Sequence, residues 1–100
     1  MAVKMLMTWD ILPGREQEYF EFVVRDFIPG LQRLGMQPTD AWYTYYGNRP
    51  QILAAVLMNS LQIMSDVLSS RGWDDLHNQL MDYVENFNYK IVHARNGFQL

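Results

Sequence analysis

The chain has 100 residues, of which 49% are apolar, and its formal net charge is −3. Its eight basic residues are spread along the chain without a cluster, which argues against a nucleic-acid partner. The absence of cysteine excludes disulfides and thiolate metal sites, and no apolar run approaches the roughly 18–20 residues of a membrane span. We expect one domain over residues 1–100, located in the cytoplasm because the N-terminus has neither a basic leader nor a small-residue cleavage site.

A strand and a helix are predicted first. Residues alternate between two faces from Ala2 to Leu12, which predicts a strand. One face of that strand carries Val3, Met5, Met7, Trp9 and Ile11. The range Arg15–Leu34 has the helical period, with Phe22 on the polar side and a kink expected at Pro29, which cannot bond the Arg25 carbonyl. The predicted inward stripe is Phe20, Val23, Val24, Phe27, Ile28, Leu31 and Leu34.

Two strands with no polar face follow, at about Thr39–Gly47 and Gln51–Asn59. In the first, Trp42, Thr44 and Tyr46 point one way, and Ala41, Tyr43 and Tyr45 point the other. The second is almost wholly apolar, as in a strand that is covered on both faces. Because a tight Gly-Asn-Arg-Pro turn separates them, we predict a β-hairpin at the middle of the chain.

The last third of the chain predicts a broken helix and a final strand. Asn59 or Ser60 can cap a helix whose inward residues are Leu61, Met64, Val67 and Leu68. The segment Ser69–Gly72 interrupts it, and a further helix is predicted over Trp73–Asn86. The stripe of that helix is Trp73, Leu76, Leu80, Tyr83, Val84 and Phe87. Strand 4 is predicted over Asn88–Arg95, with Tyr89, Ile91, His93 and Arg95 on one face.

This order, β-α-β-β-α-β, predicts an α+β fold of the ferredoxin-like kind. Two right-handed split βαβ units form a four-stranded antiparallel sheet in the order 4-1-3-2, with both helices on one face. The other face would then expose Leu6, either the tyrosines or Trp42 of strand 2, and half of strand 3. A soluble monomer rarely exposes so large an apolar surface, so we predict a homodimer that packs sheet against sheet. The alternative is a monomer covered by its own tail, but Phe98 and Leu100 are too few to cover that area.

Two stretches resemble a known superfamily. Leu12–Phe20 combines a Pro-Gly turn, an acidic helix start and an aromatic residue, and Asn59–Val84 has a small-residue break before Trp73-Asp74-Asp75-Leu76. Both are similar to the dimeric α+β barrel proteins, which include the antibiotic-biosynthesis-monooxygenase and NIPSNAP families. The resemblance implies the same fold and a dimeric barrel. Members include cofactor-free monooxygenases of aromatic polyketides, haem-degrading and haem-handling enzymes, isomerases, and proteins without a known role.

His77 is the first candidate site residue. In the haem-degrading members a histidine on this part of the second helix ligates iron, and neutral imidazole suits iron. Those members also use an asparagine on strand 1, where this chain has Thr8 and Asp10. The simpler interpretation, which we favour, is a histidine at the edge of the helix stripe with one nitrogen in water.

His93 gives a second, weaker candidate. It could act as a general base in a pocket, or it could bond a backbone group at the dimer interface, which we favour. A site with His77, His93 and Asp10 around one metal would need three distant segments to converge. We therefore predict no metal site.

An aromatic set offers the candidate ligand contacts: Trp9, Tyr43, Tyr45 and Trp73, with His77. These side chains could line a cleft between sheet and helices for a flat hydrophobic molecule, or they could be core and interface. The sequence is compatible with three functions. The first is a cofactor-independent, monooxygenase-like enzyme with His77, Tyr45 or Asp10 handling protons. The second is a non-catalytic module that binds a small molecule or haem, and the third is a purely structural dimer.

Overall fold

The computed structural model describes residues 1–43 and 51–94. Its elements in chain order are β1 (Val3–Ile11), α1 (Glu16–Phe22), α2 (Ile28–Arg33), β2 (Gln37–Tyr43), β3 (Ile52–Met58), α3 (Leu61–Leu68), α4 (Arg71–Leu80) and β4 (Val84–His93). A π-helical segment, Val23–Phe27, joins α1 to α2, so that the two form one continuous helix, called helix 1 below. The predicted positions Thr44–Gly47 and Arg95, and the tail residues 96–100, lie outside the described ranges.

The four strands form one antiparallel sheet in the order β2-β3-β1-β4. This confirms the predicted ferredoxin-like order. The face of β1 that carries Trp9 is buried against the helices, and the alternate residues of β1 up to Thr8 are only half-buried. The core between sheet and helices is built from Val3, Met5, Met7, Trp9, Ile11, Phe22, Phe27, Leu31, Met64, Trp73, Leu76 and Leu80.

The predicted stripe of helix 1 is wrong in its first half. Tyr19 and Phe22 are buried, whereas Phe20, Val24 and Ile28 are exposed. The reason is the π-helical segment, in which the Ile28 N–H donates to the Val23 carbonyl, five residues earlier. One extra residue in that turn rotates all later positions around the helix axis, so the buried residues step from Phe22 to Phe27.

Pro29 explains where that segment lies. It was expected to disturb the helix, and the π-helical segment ends two residues before it. In a regular α-helix the proline ring would meet the carbonyl of Arg25. The wider π-helical turn relieves this conflict, because the Arg25 carbonyl no longer lies where the proline ring would meet it.

The predicted end of the second helix is also wrong. The α4 helix begins at Arg71, where the Ser70 hydroxyl accepts a hydrogen bond from the Trp73 N–H at 3.3 Å, and it ends at Leu80 rather than at Asn86. Val84 already pairs with Ile11 in the sheet. A β-bulge follows, in which Asn86 has φ +59°. Val84 and Phe87 fit a helical stripe as well as a strand, which is why the sequence did not separate them.

The face of the sheet away from the helices has an apolar centre and polar edges. Trp42 lies opposite Leu53, and Leu6 lies opposite Ala55. Lys4 reaches across β3 to Asp40, with 3.6 Å between nitrogen and oxygen. Within residues 1–43 and 51–94, no helix is both long and apolar enough to cross a membrane.

Candidate functional site

Trp9 lies in a filled part of the core and not in an open cleft. Its side chain is 2% exposed. The ring is stacked on Phe87 at 5.9 Å between centroids and meets Phe27 edge-on at the same distance. Tyr19 covers it on another side, with 6.5 Å between ring centroids. The packed rings leave Trp9 a core residue, so the structure does not bring it to a ligand.

The contact between Trp9 and Tyr19 includes a hydrogen bond. The indole N–H of Trp9 donates to the phenolic oxygen of Tyr19 at 2.9 Å, and both side chains are buried. Burial raises the pKa of the Tyr19 hydroxyl to about 12, although the hydrogen bond from Trp9 opposes that shift. This tyrosine therefore stays neutral at every physiological pH and satisfies a buried donor.

His77 lies where α4 meets β4, and its ring is packed on two sides. The centroid of Trp73, one turn earlier, is 5.6 Å away, and Phe87 is met edge-on at 4.6 Å. Burial lowers the pKa of the His77 imidazole below its ordinary value, and the Asp74 carboxylate offsets part of that shift. The imidazole is therefore neutral at pH 7, which leaves one ring nitrogen as an acceptor.

Phe87 connects this histidine to the rest of the core. It is stacked on Trp9 on one side and contacts His77 on the other, and Tyr89 lies 6.3 Å from it. Tyr89 is 50% exposed. We call His77, Trp73, Phe87 and Tyr89 the His77 patch. The sequence did not place Phe87 or Tyr89 there, because the bulge at Asn86 decides that Phe87 faces the helices.

Tyr43 lies at the other edge of the sheet, on β2. Its ring is stacked on Phe20 at 6.4 Å, and the core lies between it and the His77 patch. The predicted ligand set is therefore divided: Trp73 and His77 come together, Trp9 is core, and Tyr43 is remote. Tyr45, predicted as a ligand contact and a proton-handling residue, lies outside the described residues.

Asp10 is 1% exposed and points to the sheet face opposite Trp9. One carboxylate oxygen accepts the Gln51 backbone N–H at 2.9 Å, and the other accepts the Asn86 side-chain amide at 2.9 Å. The Gln51 side-chain oxygen in turn accepts the Ile11 N–H at 2.7 Å. Asp10 thus joins β1 to the start of β3 and to the bulge of β4, and it takes no part in the His77 patch.

His93 lies at the far end of β4, where it pairs with Val3. The register places it on the same face as Tyr89 and Ile91, as the alternation predicts. Its partner Arg95 lies outside the described residues. Among residues 1–43 and 51–94, no group of three or more His, Asp or Glu side chains is placed to hold a metal ion.

Comparison with known proteins gives the fold. No protein-family sequence model matches the chain, and no curated protein is similar to it in sequence. A NIPSNAP family protein from Agrobacterium tumefaciens has a similar structure, with a TM-score of 0.74, 17% identity, and 96% of this chain and 95% of that one covered. A NIPSNAP domain protein from Burkholderia xenovorans has a TM-score of 0.70, 11% identity and 99% coverage of both chains.

A third similar structure is described as a dimeric protein of unknown function with a ferredoxin-like fold, from Bacteroides fragilis. Its TM-score is 0.63 at 9% identity, with 93% of this chain and 96% of that one covered. At these identities a structural match shows the fold alone. The chain therefore has the ferredoxin-like fold in the form found in NIPSNAP family proteins.

Proposed function

We propose that this protein is a homodimer that binds a planar, hydrophobic small molecule at the His77 patch. The observation that carries the proposal is that the His77 imidazole, with its ring centroid 4.6 Å from that of Phe87, lies on the same surface as the half-exposed ring of Tyr89. Aromatic faces with one polar acceptor are the usual make-up of a site for a flat ligand with a single polar group.

The energetic contributions of this patch are modest. An aromatic ring in offset or edge-on contact contributes about 0.5–1.5 kcal/mol beyond its buried area. His77 orients the ligand, because its unprotonated ring nitrogen can accept a hydrogen bond from a hydroxyl group of the ligand. Trp73 and Phe87 hold the imidazole in place, so little side-chain entropy is lost on binding.

The second candidate function is a cofactor-independent, monooxygenase-like activity on the same ligand. It is favoured by the lowered pKa of His77, because a general base must be unprotonated at the working pH. Asp10 is not part of this proposal, since its carboxylate is buried and hydrogen-bonded elsewhere. Haem is an alternative bound molecule, with His77 as a ligand of its iron, and a change in the haem absorption spectrum would reveal its binding.

Titration calorimetry with 2-naphthol tests the binding proposal. We expect His77→Ala and Tyr89→Ala each to weaken binding about 2- to 10-fold, which corresponds to the aromatic contribution given above. Tyr43→Ala is the matched control, because Tyr43 lies at the opposite edge of the sheet. Equal affinities in all four proteins would contradict the site.

Two further measurements separate the alternatives. Oxygen consumption with 2-naphthol that is lost in His77→Ala would establish the enzyme, whereas binding without consumption would leave a binding module. A haemin titration in which the wild type shifts the Soret band of free haemin and His77→Ala does not would favour haem.

The dimer is supported by the open face of the sheet. Trp42 is 55% exposed there beside Leu53, and Leu6, Leu57 and Val92 are only half-buried. A second copy related by a two-fold axis would cover this apolar centre, as one structural neighbour described as dimeric also suggests. Trp42→Asp should remove this contact and lower the mean mass of the assembly in sedimentation equilibrium, and a monomeric wild type at micromolar concentration would overturn the proposal. The single domain and the cytoplasmic location stay predictions.

A further inference from the structure

Helix 1 exposes a regular apolar stripe on the side away from the core. Phe20, Val24 and Ile28 are spaced four residues apart, and their exposed fractions are 47%, 71% and 36%. Tyr43 of the edge strand β2 is stacked on Phe20 and extends the surface. We call Phe20, Val24 and Ile28 the helix-1 stripe. Single exposed apolar residues are common, whereas contiguous apolar patches often mark interaction sites.

The π-helical segment is the structural origin of this surface. It turns Phe27 and Leu31 into the core and leaves Val24 and Ile28 outside, so the extra residue creates the stripe. Single π-helical turns inside α-helices are rare and are frequently found at functional sites. Helix 1 therefore combines an irregular element and an exposed apolar surface at the same residues.

We propose that the helix-1 stripe docks a second copy of this chain, with the two helices antiparallel about a two-fold axis at Val24. Val24 is at the middle of helix 1, which runs from Glu16 to Arg33. Phe20 and Ile28 lie four residues to either side of it. A two-fold axis at Val24 therefore places the large ring of Phe20 beside the smaller Ile28 of the other copy, twice in one contact.

The charges next to the stripe suit the same arrangement. Glu21 and Arg25 lie on one side of the helix, since their side chains form an ion pair with 3.8 Å between nitrogen and oxygen. Glu21 precedes Val24 and Arg25 follows it. Antiparallel pairing brings Glu21 of one copy near Arg25 of the other on that same side, so the four charges alternate in sign. A parallel two-fold pair would instead place the charges of the two copies on opposite flanks of the contact, where they do not pair.

This contact is separate from the sheet-to-sheet dimer. The stripe lies on helix 1, on the helix side of the sheet, whereas Trp42 lies on the opposite face. Both contacts can form at once, and each can be removed without the other. Three residues from each copy make a small interface, so the association is expected to be weak and dependent on protein concentration.

Cysteine cross-linking tests the arrangement directly, because the chain has no cysteine of its own. Val24→Cys should form a disulfide-linked dimer under mild oxidation, since the two-fold axis brings the two copies of residue 24 together. Gln17→Cys is the matched control on the same helix, and antiparallel pairing keeps its two copies apart. A mixture of Gln17→Cys and Gln32→Cys should cross-link as the heterodimer.

The outcomes are distinct. Efficient cross-linking of Val24→Cys and of the mixture, with little from Gln17→Cys alone, supports the antiparallel contact. Cross-linking of Gln17→Cys as fast as Val24→Cys would indicate random collision or a parallel pair, and it would overturn the proposal. Failure of Val24→Cys to cross-link faster than Gln17→Cys would overturn it as well.

Sedimentation velocity separates this inference from the dimer of the previous section. With both contacts present, the wild type should associate beyond a dimer as its concentration rises, and Val24→Glu should stop at the dimer. Trp42→Asp should retain only the association through helix 1, and the double variant should be monomeric. If Val24→Glu sediments as the wild type at every concentration, the helix contact is disproved, whatever Trp42→Asp shows. Thermal melting checks folding, which Val24→Glu should preserve because Val24 is 71% exposed.

Discussion

The indole N–H of Trp9 donates a hydrogen bond to the phenolic oxygen of Tyr19, at 2.9 Å and inside the core. This bond fixes α1 to β1 and satisfies the one polar side-chain atom of Trp9, the largest fully buried side chain. The raised pKa of Tyr19 follows from the same burial, so the hydroxyl does not ionise while the protein is folded.

Tyr19→Phe should lower the free energy of unfolding by about 1–3 kcal/mol, because it leaves the buried indole N–H without an acceptor. Urea denaturation gives this value. Tyr89→Phe is the matched control and should change stability by less than about 0.5 kcal/mol, since Tyr89 is half-exposed. If Tyr19→Phe leaves the free energy of unfolding unchanged, the indole N–H of Trp9 must find another acceptor.

Asp10→Ala should cost about 3 kcal/mol or more, because each hydrogen bond to a charged group is worth roughly 1.5–3 kcal/mol and Asp10 accepts from both Gln51 and Asn86. Glu85→Ala is the control, since Glu85 pairs with Asp10 across the sheet and is exposed. Equal effects of the two substitutions in urea denaturation would contradict a role of Asp10 in joining the strands.

Asn86 should tolerate glycine better than alanine. Both substitutions remove the hydrogen bond to Asp10, but only glycine adopts φ +59° without strain. We therefore expect Asn86→Gly to be about 1 kcal/mol more stable than Asn86→Ala. Indistinguishable melting curves would show that the bulge relaxes when the side chain is removed.

Gly30→Ala should destabilise the protein although alanine is the better helix former. A Cβ at Gly30 would lie 2.8 Å from a methyl group of Leu76, which is itself buried. Overpacking costs about 1–3 kcal/mol, against about 1 kcal/mol gained in helix propensity. In the Leu76→Ala background the same substitution should become neutral or stabilising, and a double-mutant cycle with no coupling would contradict the close approach.

The lowered pKa of His77 predicts a loss of stability in mild acid. The native state packs the neutral form of the His77 imidazole. Its contribution to the free energy of unfolding is therefore complete above the pKa of the unfolded state, near 6.5, and decreases as the pH falls toward the lower pKa of the folded state. Wild type should therefore lose more stability than His77→Gln between about pH 7.5 and 5.5. Asp74→Asn should strengthen the dependence, because the Asp74 carboxylate raises the pKa. Parallel pH profiles of wild type and His77→Gln would refute the assignment.

The π-helical segment can be removed by deleting Val24, which restores regular spacing of the buried residues of helix 1. The deletion alone should destabilise the helix, because Pro29 then meets the Arg25 carbonyl. Adding Pro29→Ala should recover about 3 kcal/mol, measured as the difference between the two deletion variants in urea. No recovery would show that the proline is not the reason for the wide turn.

Much of the sheet was predictable because its signals are local. Period-two alternation in β1 identified the buried face, and the run of elements predicted the strand order. The end of α4 was not predictable, since Val84 and Phe87 suit both a helix and a strand, and only pairing with Ile11 selects the strand. The candidate site was half predicted: Trp73 and His77 are neighbours on one helix, but Trp9 and Tyr43 were assigned by residue type alone.

The sequence by itself determined the ferredoxin-like order, the buried face of β1 and the position of His77 on the second helix, because these follow from periodicity and spacing. Tertiary structure alone decided which side of helix 1 is buried, that Asp10 joins three strands, and that Phe87 completes the surface around His77. Each of these depends on one extra residue, in the π-helical turn or in the β4 bulge. An insertion of this kind leaves no periodic signal along the chain: Pro29 marks where helix 1 is disturbed, but it does not tell which residues then face the core.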